Sequence, residues 1–477
     1  MGEKETICGL ASDKYDAVAA INQFVWSHAE YGYQEQESAA RIKELLRAEG
    51  FEVEEHTAGI ETAFIARFGN GRPVIGILAE YDALPSLSQK AGEASPCPVE
   101  GQAYGHGCGH SALGAGAVGA ALIVKEYLEQ NEISGTIELY GCPAEETGFG
   151  KVFMVKEHCF DHLDMAFTWH PMDVNMPMAA RFVAYYKVRF DFKGVSSHAG
   201  SAPELGRSAL DACELMNVGV NYLREHIIST ARVHYAYLDC GGEAPNVVQD
   251  HASLLYFIRA PKLAQSKEIL DRISKIAEGA AMMTETSVSV KVLGGMNDYI
   301  SNPTASKLLS DAFCETGAPD FGEEEFAIAR RFLDAMPEEQ RSRVMKKGAA
   351  LNGVTPEEFA QKPLHTCVIP YSPEMRNQLM TGSTDVGDVS YQVPTAQLMA
   401  AVGIPETGAH TWQFTAQVGS SIGDKASAAA ARAIALACIK VCRDPSLAEK
   451  AKQELLEETG GMYLSPIPDG IRPGEDM

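Results

Sequence analysis

The sequence predicts an α/β protein in which a larger domain, a sheet flanked by helices, is interrupted by an inserted ferredoxin-like βαββαβ domain. Length supports more than one domain, because 477 residues exceed what a single compact core usually holds. Helical and strand patterns alternate through the first part of the chain, and the pattern changes near Phe182. We therefore predict that residues 1–182 and 298–477 form the larger domain and that residues 183–297 form the inserted one.

The first part of the chain alternates helices with strands. Apolar residues at helical spacing, or an Ala/Gly-rich composition, predict helices at residues 13–28, 39–46 and 112–128. Apolar runs predict strands at residues 51–55, 63–68, 74–79, 137–141 and 165–168. The run at 74–79 is apolar throughout, which is typical of a buried strand. Such alternation favours an α/β layer in which helices cover a sheet.

The middle of the chain has a different order of elements. Strands are predicted at residues 183–192, 233–238, 253–259 and 287–292, and helices at residues 208–224 and 264–282. The resulting order, βαββαβ, is that of a ferredoxin-like fold, and the segment is long enough to form a domain of its own.

Helical patterns resume in the last third of the chain. The segment 323–345 is strongly charged and contains Pro337, so we predict solvated surface helices on either side of that proline. Segments 386–398 and 420–441 are predicted to return to the larger domain, and residues 466–477 are predicted to be frayed.

Composition and charge exclude several classes of function. With 45% hydrophobic and 22% charged residues, the chain has the composition of a globular protein. Its net charge of −24 argues against nucleic acids and acidic membranes as partners, but allows an anionic substrate at a locally positive site. No apolar run approaches the roughly 20 residues that cross a bilayer, and the charged start lacks the core of a signal peptide. Eleven cysteines, an odd number, indicate reduced thiols and a cytoplasmic protein.

Five short segments contain residue types that bind divalent metal ions. They are Glu80-Tyr81-Asp82, Gly105-His106-Gly107-Cys108-Gly109-His110, Pro143-Ala144-Glu145-Glu146-Thr147-Gly148, Thr168-Trp169-His170-Pro171 and Gly408-Ala409-His410-Thr411. Most of them follow predicted strands, where ligands cluster in open α/β sheets. Each segment alone also has a structural explanation, since acids solvate strand ends and single histidines are often structural. Together, one thiolate, three imidazoles and one carboxylate match the ligands of zinc, manganese or cobalt.

Two of these segments have spacings that suggest specific chemistry. Around Cys108 and His110, glycines allow a tight turn, and the Cys-x-His spacing lets a thiolate and an imidazole converge on one centre. The adjacent carboxylates of Glu145 and Glu146 can point in different directions on an irregular loop. One of them can then bind a metal while its neighbour acts as general base.

The order and context of these segments resemble the metal-binding motifs of the aminoacylase and carboxypeptidase family. The resembling motifs are Gly-x-Cys-Gly-His, Pro-Ala-Glu-Glu, Trp-His-Pro and Gly-x-His, and the N-terminal Ala29-Glu30-Tyr31-Gly32-Tyr33-Gln34-Glu35 also fits. The chain is most similar to the branch of hydrolases that act on hippurate, indole-acetyl-amino acids and p-aminobenzoyl-glutamate. The resemblance spans nearly the whole chain. It implies a metallopeptidase-type catalytic domain with a mixed sheet and an inserted dimerisation or lid domain.

The resemblance also implies a centre with two divalent ions, manganese or zinc, with cobalt as a further option. Cys108 would bridge the two ions. One site would add Glu146 and His410, and the other would add His110 and His170.

Five further residues receive roles from the same resemblance. Glu145 would be the general base for a metal-bound hydroxide that attacks an amide carbonyl, and Asp82 would orient a metal ligand. His198 would reach across a homodimer to stabilise the reacting carbonyl. Asn246 and Arg259 would bind the substrate, Arg259 by gripping its carboxylate.

Two departures from the hippurate-hydrolase pattern point to the p-aminobenzoyl-glutamate branch. Ser111-Ala112-Leu113 replaces the usual Asp-x-His, and Glu80-Tyr81-Asp82 replaces the usual Asp-x-Asp. The charged insertion at 322–350 and the segment 382–388 are similar to that branch as well. We therefore predict metal-dependent hydrolysis of an N-acyl, more narrowly an N-aroyl, amino acid such as p-aminobenzoyl-glutamate. The resemblance implies a homodimer or an assembly with a homologous second subunit.

Three alternatives stay open. The chain can hydrolyse other N-acyl amino acids or dipeptides, among them hippurate and indole-acetyl-amino acids. Cys108 with a nearby histidine can act as a nucleophile, although this leaves Glu145, Glu146 and His410 without a role. The chain can also be a non-catalytic dimeric subunit, although all five ligands and the base are present.

Overall fold

The computed structural model describes residues 2–475, and its contacts divide the chain into two compact units. The first unit comprises the residues up to Ala180, Ser301–Gln378 and Val389–Tyr463. The second unit comprises Arg181–Ile300, Leu379–Asp388 and the residues from Leu464 onwards. The second unit therefore contains two late segments that the sequence patterns assign to the larger domain.

Fifteen strands and fifteen α-helices occur in the described part of the chain. The strands are β1 Glu52–Glu55, β2 Phe64–Asn70, β3 Val74–Glu80, β4 Leu84–Pro85, β5 Tyr104–Gly105, β6 Gly135–Cys142, β7 Met165–Met172, β8 Met176–Pro177, β9 Arg181–Phe182, β10 Ala184–Lys193, β11 Arg232–Asp239, β12 His251–Ala260, β13 Ser287–Met296, β14 Leu379–Met380 and β15 Thr395–Ala401. The helices are α1 Glu3–Asp13, α2 Tyr15–Ser27, α3 Gln36–Ala48, α4 His110–Asn131, α5 Gly150–Lys156, α6 Ala209–Leu223, α7 Leu263–Thr284, α8 Pro303–Thr316, α9 Glu323–Asp334, α10 Glu338–Asn352, α11 Pro356–Gln361, α12 Val386–Gln392, α13 Trp412–Val418, α14 Ser421–Arg443 and α15 Ser446–Thr459.

The first unit is built on a mixed seven-stranded sheet in the order β1-β2-β6-β3-β7-β15-β8. The central strands β6, β3, β7 and β15 are parallel, whereas β1, β2 and β8 pair antiparallel with their neighbours. Parallel strands place their carboxyl ends at one edge of a sheet, so the loops that follow β3, β6 and β7 gather there. The predicted α/β sheet flanked by helices is confirmed.

Helix α4 lies in the core of the first unit and packs against α2, α14 and the sheet. Glycines allow this close contact: a Cβ at Gly116 would lie 2.5 Å from Nε1 of Trp169, and one at Gly114 would lie 2.7 Å from the carbonyl oxygen of Glu80. The packing fixes the first residue of α4, His110, beside the ends of β3 and β7. Within residues 2–475, α4 is the one helix long and apolar enough to span a membrane, but 89% of that window is buried inside the protein.

The second unit contains an antiparallel four-stranded sheet in the order β11-β12-β10-β13, with helices α6 and α7 packed on it. Its hydrophobic core includes Phe190, Met216, Tyr256 and Ile273. The chain order β10-α6-β11-β12-α7-β13 and this strand order are those of a ferredoxin-like fold. The predicted inserted βαββαβ fold is confirmed.

Several parts of the fold differ from the sequence-based expectation. Helix α1 was not predicted. The charged helices α9 and α10 are not simply solvated, because Phe326, Phe332 and Val344 form a hydrophobic cluster of their own under the charged outer faces. The end of the chain is not frayed throughout, since Ile467 is buried. Residues 476 and 477 of that prediction lie outside the described residues.

Candidate metal centre

The first unit brings the predicted ligands together at the carboxyl edge of its central strands. Cys108 and His110 lie at the start of α4, and His170 lies inside β7, which extends four residues further than predicted. Glu146 lies in the loop between β6 and α5, and His410 lies just before α13. The five side chains therefore come from separate parts of the chain to one edge of the sheet.

The five side chains form two groups that share one sulfur atom. In the first group, ligand atoms of Cys108, His110 and His170 all lie within 4.8 Å of one another, and in the second, those of Cys108, Glu146 and His410 do. Sγ of Cys108 lies 3.6 Å from Nε2 of His170. Nε2 of His410 lies 3.3 Å from Oε1 of Glu146. A bridging thiolate between two cations requires this arrangement.

The ring nitrogens of the two buried histidines are oriented for metal binding. Nδ1 of His110 donates a hydrogen bond to Oδ1 of Asp82 at 2.7 Å, and Nδ1 of His170 donates to the carbonyl oxygen of Pro171 at 2.9 Å. Each Nε2 is left available to a metal ion, which is how metal-binding histidines are usually fixed. Nε2 of His110 is buried and makes no hydrogen bond to any described residue. A buried nitrogen without a hydrogen bond, in a cluster of sulfur, imidazole and carboxylate donors, fits a transition-metal ion.

Asp82 holds two parts of the centre at once. Besides its bond to His110, it accepts a hydrogen bond through Oδ2 from the backbone N–H of Glu146 at 2.9 Å. It is fully buried, so solvent does not compete for either contact. This geometry is the one expected of a residue that orients a metal ligand. That role, which the family resemblance implies for Asp82, stays a prediction.

Burial and neighbouring charges shift the pKa values of the centre. Burial raises the pKa of Glu146, but the hydrogen bond from His410 and the charge of His110 more than offset it and lower the pKa to about 2. Burial lowers the pKa of His110, yet the charges of Asp82, Cys108 and Glu80 raise it well above its usual value. Burial, with the nearby charge of Glu146, raises the pKa of Cys108 well above the usual thiol value.

The raised pKa of Cys108 bears on the alternative of a cysteine nucleophile. Such enzymes need a thiolate, and they lower the thiol pKa with a positive neighbour. Here burial and the negative charge of Glu146 raise the pKa of Cys108, and the opposing charge and hydrogen bond of His110 do not reverse the shift. A metal ion would deprotonate the same thiol outright. The environment of Cys108 favours a metal ligand over a nucleophile.

Glycines let the ligand segments approach one another closely. A Cβ at Gly109, whose φ is +84°, would lie 2.8 Å from the ring of Pro171. A Cβ at Gly107 would clash with the side chain of Leu87 and lie 3.4 Å from Cα of His410. The carbonyl oxygen of Gly107 accepts a hydrogen bond from the backbone N–H of His410 at 2.7 Å. This bond joins the His410 loop to the turn that carries Cys108.

Glu80 and Lys151 form a buried ion pair beside the centre, and no sequence motif indicated Lys151. Nζ of Lys151 lies 2.7 Å from Oε1 of Glu80, and Oε2 of Glu80 lies 3.2 Å from Nε2 of His110. Ligand atoms of Glu80, His110 and Glu145 lie within 4.8 Å of one another. Burial raises the pKa of Glu80, but Lys151 and His110 reverse the shift and lower it.

A second residue that sequence reasoning missed, Glu35, supports the loop that carries Glu145 and Glu146. Oε1 of this buried carboxylate accepts a hydrogen bond from the backbone N–H of Ala144 at 2.8 Å, and Oε2 accepts one from the hydroxyl of Thr62 at 2.9 Å. Ala144 has a φ of +57°, a strained value for a residue with a side chain. Glu35 therefore stabilises an unfavourable backbone conformation next to the two glutamates.

The same N-terminal segment contacts this loop at two further points. The hydroxyl of Tyr33 donates a hydrogen bond to the carbonyl oxygen of Gly148. Gly32 lies so close to the loop that a Cβ there would stand 3.0 Å from Cβ of Ala144. Residues 32–35 thus contact the loop between β6 and α5 at several points. In the sequence, only the family resemblance indicated that this N-terminal segment matters.

We expect Glu35→Ala to weaken metal binding and hydrolysis without removing a ligand. The variant leaves two buried donors without an acceptor, which costs about 1–3 kcal/mol for each group, and it frees the loop to relax. Loss of outer contacts of this kind typically lowers metal affinity or activity by about 10–100-fold. The measurements are metal affinity by chelator competition and kcat for an amide substrate.

Glu30→Ala is the matched control for Glu35→Ala. Its carboxylate accepts hydrogen bonds from the backbone N–H groups of Glu37 and Ser38 at the start of α3, away from the loop. We expect this variant to lose some stability and to keep wild-type metal affinity. Equal effects of the two variants on metal affinity would contradict the bracing role of Glu35.

The remaining predicted site residues lie in the second unit. Nδ1 of His198 accepts hydrogen bonds from the backbone N–H groups of Gly200 and Ser201, both at 3.1 Å. Asn246 lies beside it, because its carbonyl oxygen accepts a hydrogen bond from the N–H of Ala199 at 2.9 Å. The roles of these two residues stay predictions.

Arg259, also in the second unit, lies on β12. Its guanidinium donates a hydrogen bond to the hydroxyl of Ser383 at 3.1 Å and lies 5.0 Å above the centre of the Tyr185 ring. Ser383 belongs to the segment 382–388 that the sequence analysis noted. The substrate-binding role of Arg259 also stays a prediction.

Comparison with known proteins identifies relatives over nearly the full length of the chain. Over 454 residues, 94% of each chain, the protein is 41% identical to a p-aminobenzoyl-glutamate hydrolase subunit of Escherichia coli (strain K12). It is 26% identical to the Xaa-Arg dipeptidase of Mus musculus, with 95% of this chain and 93% of the relative covered. The fold is that of a dinuclear metal-binding peptidase of Bacillus subtilis, at a TM-score of 0.56, 17% identity and coverage of 91% of this chain and 99% of the other.

The family model for peptidase family M20/M25/M40 matches residues 76–476 of the chain. That span includes all the candidate ligands and both glutamates of the loop after β6. The prediction of a metal-dependent amidohydrolase is confirmed by this match together with the relatives. The chain belongs to peptidase family M20/M25/M40.

Proposed function

We propose that the protein hydrolyses the amide bond of an N-acyl amino acid at a centre of two divalent ions. The observation that carries the proposal is the pair of ligand groups that share Sγ of Cys108. Glu146 and His410 belong to one group, and His110 and His170 belong to the other. Thiolate, imidazole and carboxylate ligands suit zinc, manganese and cobalt, and we propose manganese or zinc as the native ions.

Two ions in this centre would supply Lewis acidity toward the substrate carbonyl and would lower the pKa of a water to about 7. The protein's own contribution is to hold the ligands in place and to transfer the proton between the attacking water and the departing amine. Asp82 keeps His110 in the tautomer that offers Nε2 to the centre, and its bond to the backbone of Glu146 keeps that ligand beside it.

Glu145 is the residue that we propose to carry the proton. It is half-buried beside the ligand Glu146, and its carboxylate lies within 4.8 Å of a ligand atom of His110. In this position it takes a proton from the attacking water and delivers it to the nitrogen of the departing amine. Transfer of this kind contributes about 10²–10⁴-fold to the rate.

The relative with 41% identity, named for p-aminobenzoyl-glutamate, supports an N-aroyl amino acid as substrate. An anionic substrate of that kind needs a cationic group in a molecule whose net charge is −24. We propose that Arg259 binds the substrate carboxylate and that Asn246 lines the same site. Arg259 is suited to this role, because its planar guanidinium pairs with carboxylates in a bidentate manner.

A panel of substrates tests this specificity. The manganese- or zinc-loaded protein is assayed with p-aminobenzoyl-glutamate, hippurate, indole-acetyl-aspartate and dipeptides, including those with a C-terminal arginine. We expect the highest kcat/KM for p-aminobenzoyl-glutamate. The similarity to a dipeptidase favours dipeptides as the second candidate, and a higher kcat/KM for them would replace the first. No turnover of any amide by protein that holds two ions would favour a non-catalytic subunit.

We propose that the protein works as a homodimer or with a homologous second subunit, with His198 acting across the interface. All eleven cysteines are free thiols, which agrees with a reducing cytoplasm. Edge strand β11 exposes Tyr235, Tyr237 and Leu238, apolar side chains of a kind that interfaces cover.

Mixing two inactive variants tests the role of His198. If His198 acts on the partner's centre, a dimer of one Glu145→Gln chain and one His198→Ala chain keeps a single competent centre. Equal mixing is then expected to restore roughly a quarter of wild-type activity, since half of the dimers are mixed. Absence of recovery, with subunit exchange shown by differently tagged chains, would contradict action across a dimer.

A further inference from the structure

The carboxylate of Glu80 lies in the centre, although the sequence motifs give it no role. Glu80 ends β3 and is buried, and its Oε2 lies 3.2 Å from Nε2 of His110. That nitrogen makes no hydrogen bond to the residues described, although it lies within ion-pair distance of Glu80. An oxygen and a nitrogen that face each other at this distance without a hydrogen bond are placed like two ligands of one ion.

The distance agrees with shared coordination. Zinc–nitrogen and zinc–oxygen bonds of about 2.0–2.2 Å at a tetrahedral angle separate two ligand atoms by roughly 3.4 Å. Nδ1 of His110 is already bonded to Asp82, so Nε2 is the only ring nitrogen of His110 that a metal can use. Glu80 also interacts electrostatically with His170, the other imidazole of the same group.

We propose that Glu80 is a ligand of the ion held by Cys108, His110 and His170, so that this ion has four protein ligands. The inference deepens the proposed function and rests on the centre of two ions described there. It goes beyond the five ligands that the sequence motifs suggest.

Lys151 determines how Glu80 can bind. It is completely buried, and its Nζ lies 2.7 Å from Oε1 of Glu80, the oxygen that does not face His110. A buried ammonium group needs a partner of opposite charge, and carboxylates that bind metals are themselves held by outer hydrogen bonds. Lys151 occupies Oε1, leaves Oε2 as a single ligand atom, and balances the additional negative charge. Lys151 is therefore a positioning residue.

The proposal also separates the roles of two neighbouring glutamates. Ligand atoms of Glu145, His110 and Glu80 lie within 4.8 Å of one another, so Glu145 is also near this ion. Glu80 is fully buried and is paired with Lys151, and Glu145 is half-buried. If Glu80 fills the fourth position, the ion does not need Glu145 as a ligand, and Glu145 can transfer protons.

The two ions would then differ in kind. An ion with four protein ligands is closed, as in structural zinc sites, whereas an ion with three keeps a position for solvent or substrate. The ion at Cys108, Glu146 and His410 has three ligands, and His410 is partly exposed. That ion would therefore keep a position that solvent or substrate can fill.

Chelator competition on variants of Glu80 tests the inference. Wild-type protein is expected to hold two zinc ions, and Glu80→Gln to bind one of them at least about 100-fold more weakly, because a direct ligand is lost. Lys151→Met should weaken the same ion by about 10-fold, since the carboxylate remains but is no longer oriented. The measurement is zinc per chain across a series of chelator concentrations.

Glu138→Gln is the matched control for Glu80→Gln. Glu138 is a buried carboxylate on the neighbouring strand β6, paired with Arg67 at 2.6 Å and outside the centre. We expect this variant to keep both zinc affinities. If Glu80→Gln also keeps both, the carboxylate is only an ion-pair partner of Lys151, and the inference is wrong.

Glu80→Asp keeps the negative charge opposite Lys151, so it can be used to test the inference if Glu80→Gln does not fold. The shorter side chain withdraws the oxygen from the ion, so we expect a changed visible spectrum for one of two cobalt ions in cobalt-loaded protein. An unchanged spectrum would overturn the inference. Wild-type protein that fails to hold two ions would instead overturn the proposed function, so the two failures are distinguishable.

Discussion

Glu145→Gln is expected to remove nearly all hydrolysis while the protein keeps both metal ions. The amide is close in size to the carboxylate, but it cannot accept the proton of the attacking water or return it to the leaving amine. Loss of such a group costs about 10²–10⁴-fold in rate. The measurement is kcat for the best amide substrate, together with metal content by elemental analysis.

The control for this variant is Glu157→Gln, an exposed glutamate at the end of α5 outside the centre. It should retain wild-type kcat and metal content. Turnover by Glu145→Gln within a few-fold of the wild type would refute the assignment of the base. A loss of metal in Glu145→Gln would show that this residue is a ligand, contrary to the account given for Glu80.

Cys108→Ala is expected to lower occupancy at both metal sites and to reduce hydrolysis to background. Sγ of Cys108 is the one ligand atom common to the two groups, so its loss removes a ligand from each ion. Any other single ligand belongs to one group and should affect mainly one ion. Metal content after dialysis, compared between Cys108→Ala and His410→Ala, measures the difference.

Cys142→Ala controls for the loss of a thiol near this edge of the sheet. Cys142 is a buried cysteine at the end of β6, and its thiol donates to the carbonyl oxygen of Tyr140 at 3.4 Å. This variant should keep both ions. Wild-type metal occupancy in Cys108→Ala would contradict the bridging role of Cys108. Hydrolysis by wild-type protein from which all metal has been removed by a chelator would instead favour a cysteine nucleophile.

The local patterns of the sequence predicted those parts of the centre that depend on strand ends. The apolar run before Glu80 and the run before Glu146 are buried parallel strands, so the residues after them meet at one edge. His170 is a partial exception, because β7 continues through it to Met172. The histidine still faces the centre, since pairing with β15 extends the strand without moving its position in the sheet.

Local sequence patterns could not predict contacts between segments that are distant in the chain. Glu35 lies 109 residues from Ala144, and nothing near either residue indicates that they are bonded. The pairing of Glu80 with Lys151 depends on where α5 packs after a strained loop, which no periodicity specifies. The helices α9 and α10 were misjudged for a related reason: their high charge concealed the apolar face formed by Phe326 and Phe332.

An anomalous difference map of crystals grown with zinc tests the central claim most directly, because it locates the ions and their ligands together. The account predicts two peaks about 3.5–4 Å apart with Sγ of Cys108 between them. One peak should be bound by Glu146 and His410, and the other by His110 and His170. A single peak, or two peaks that Cys108 does not bridge, would contradict it.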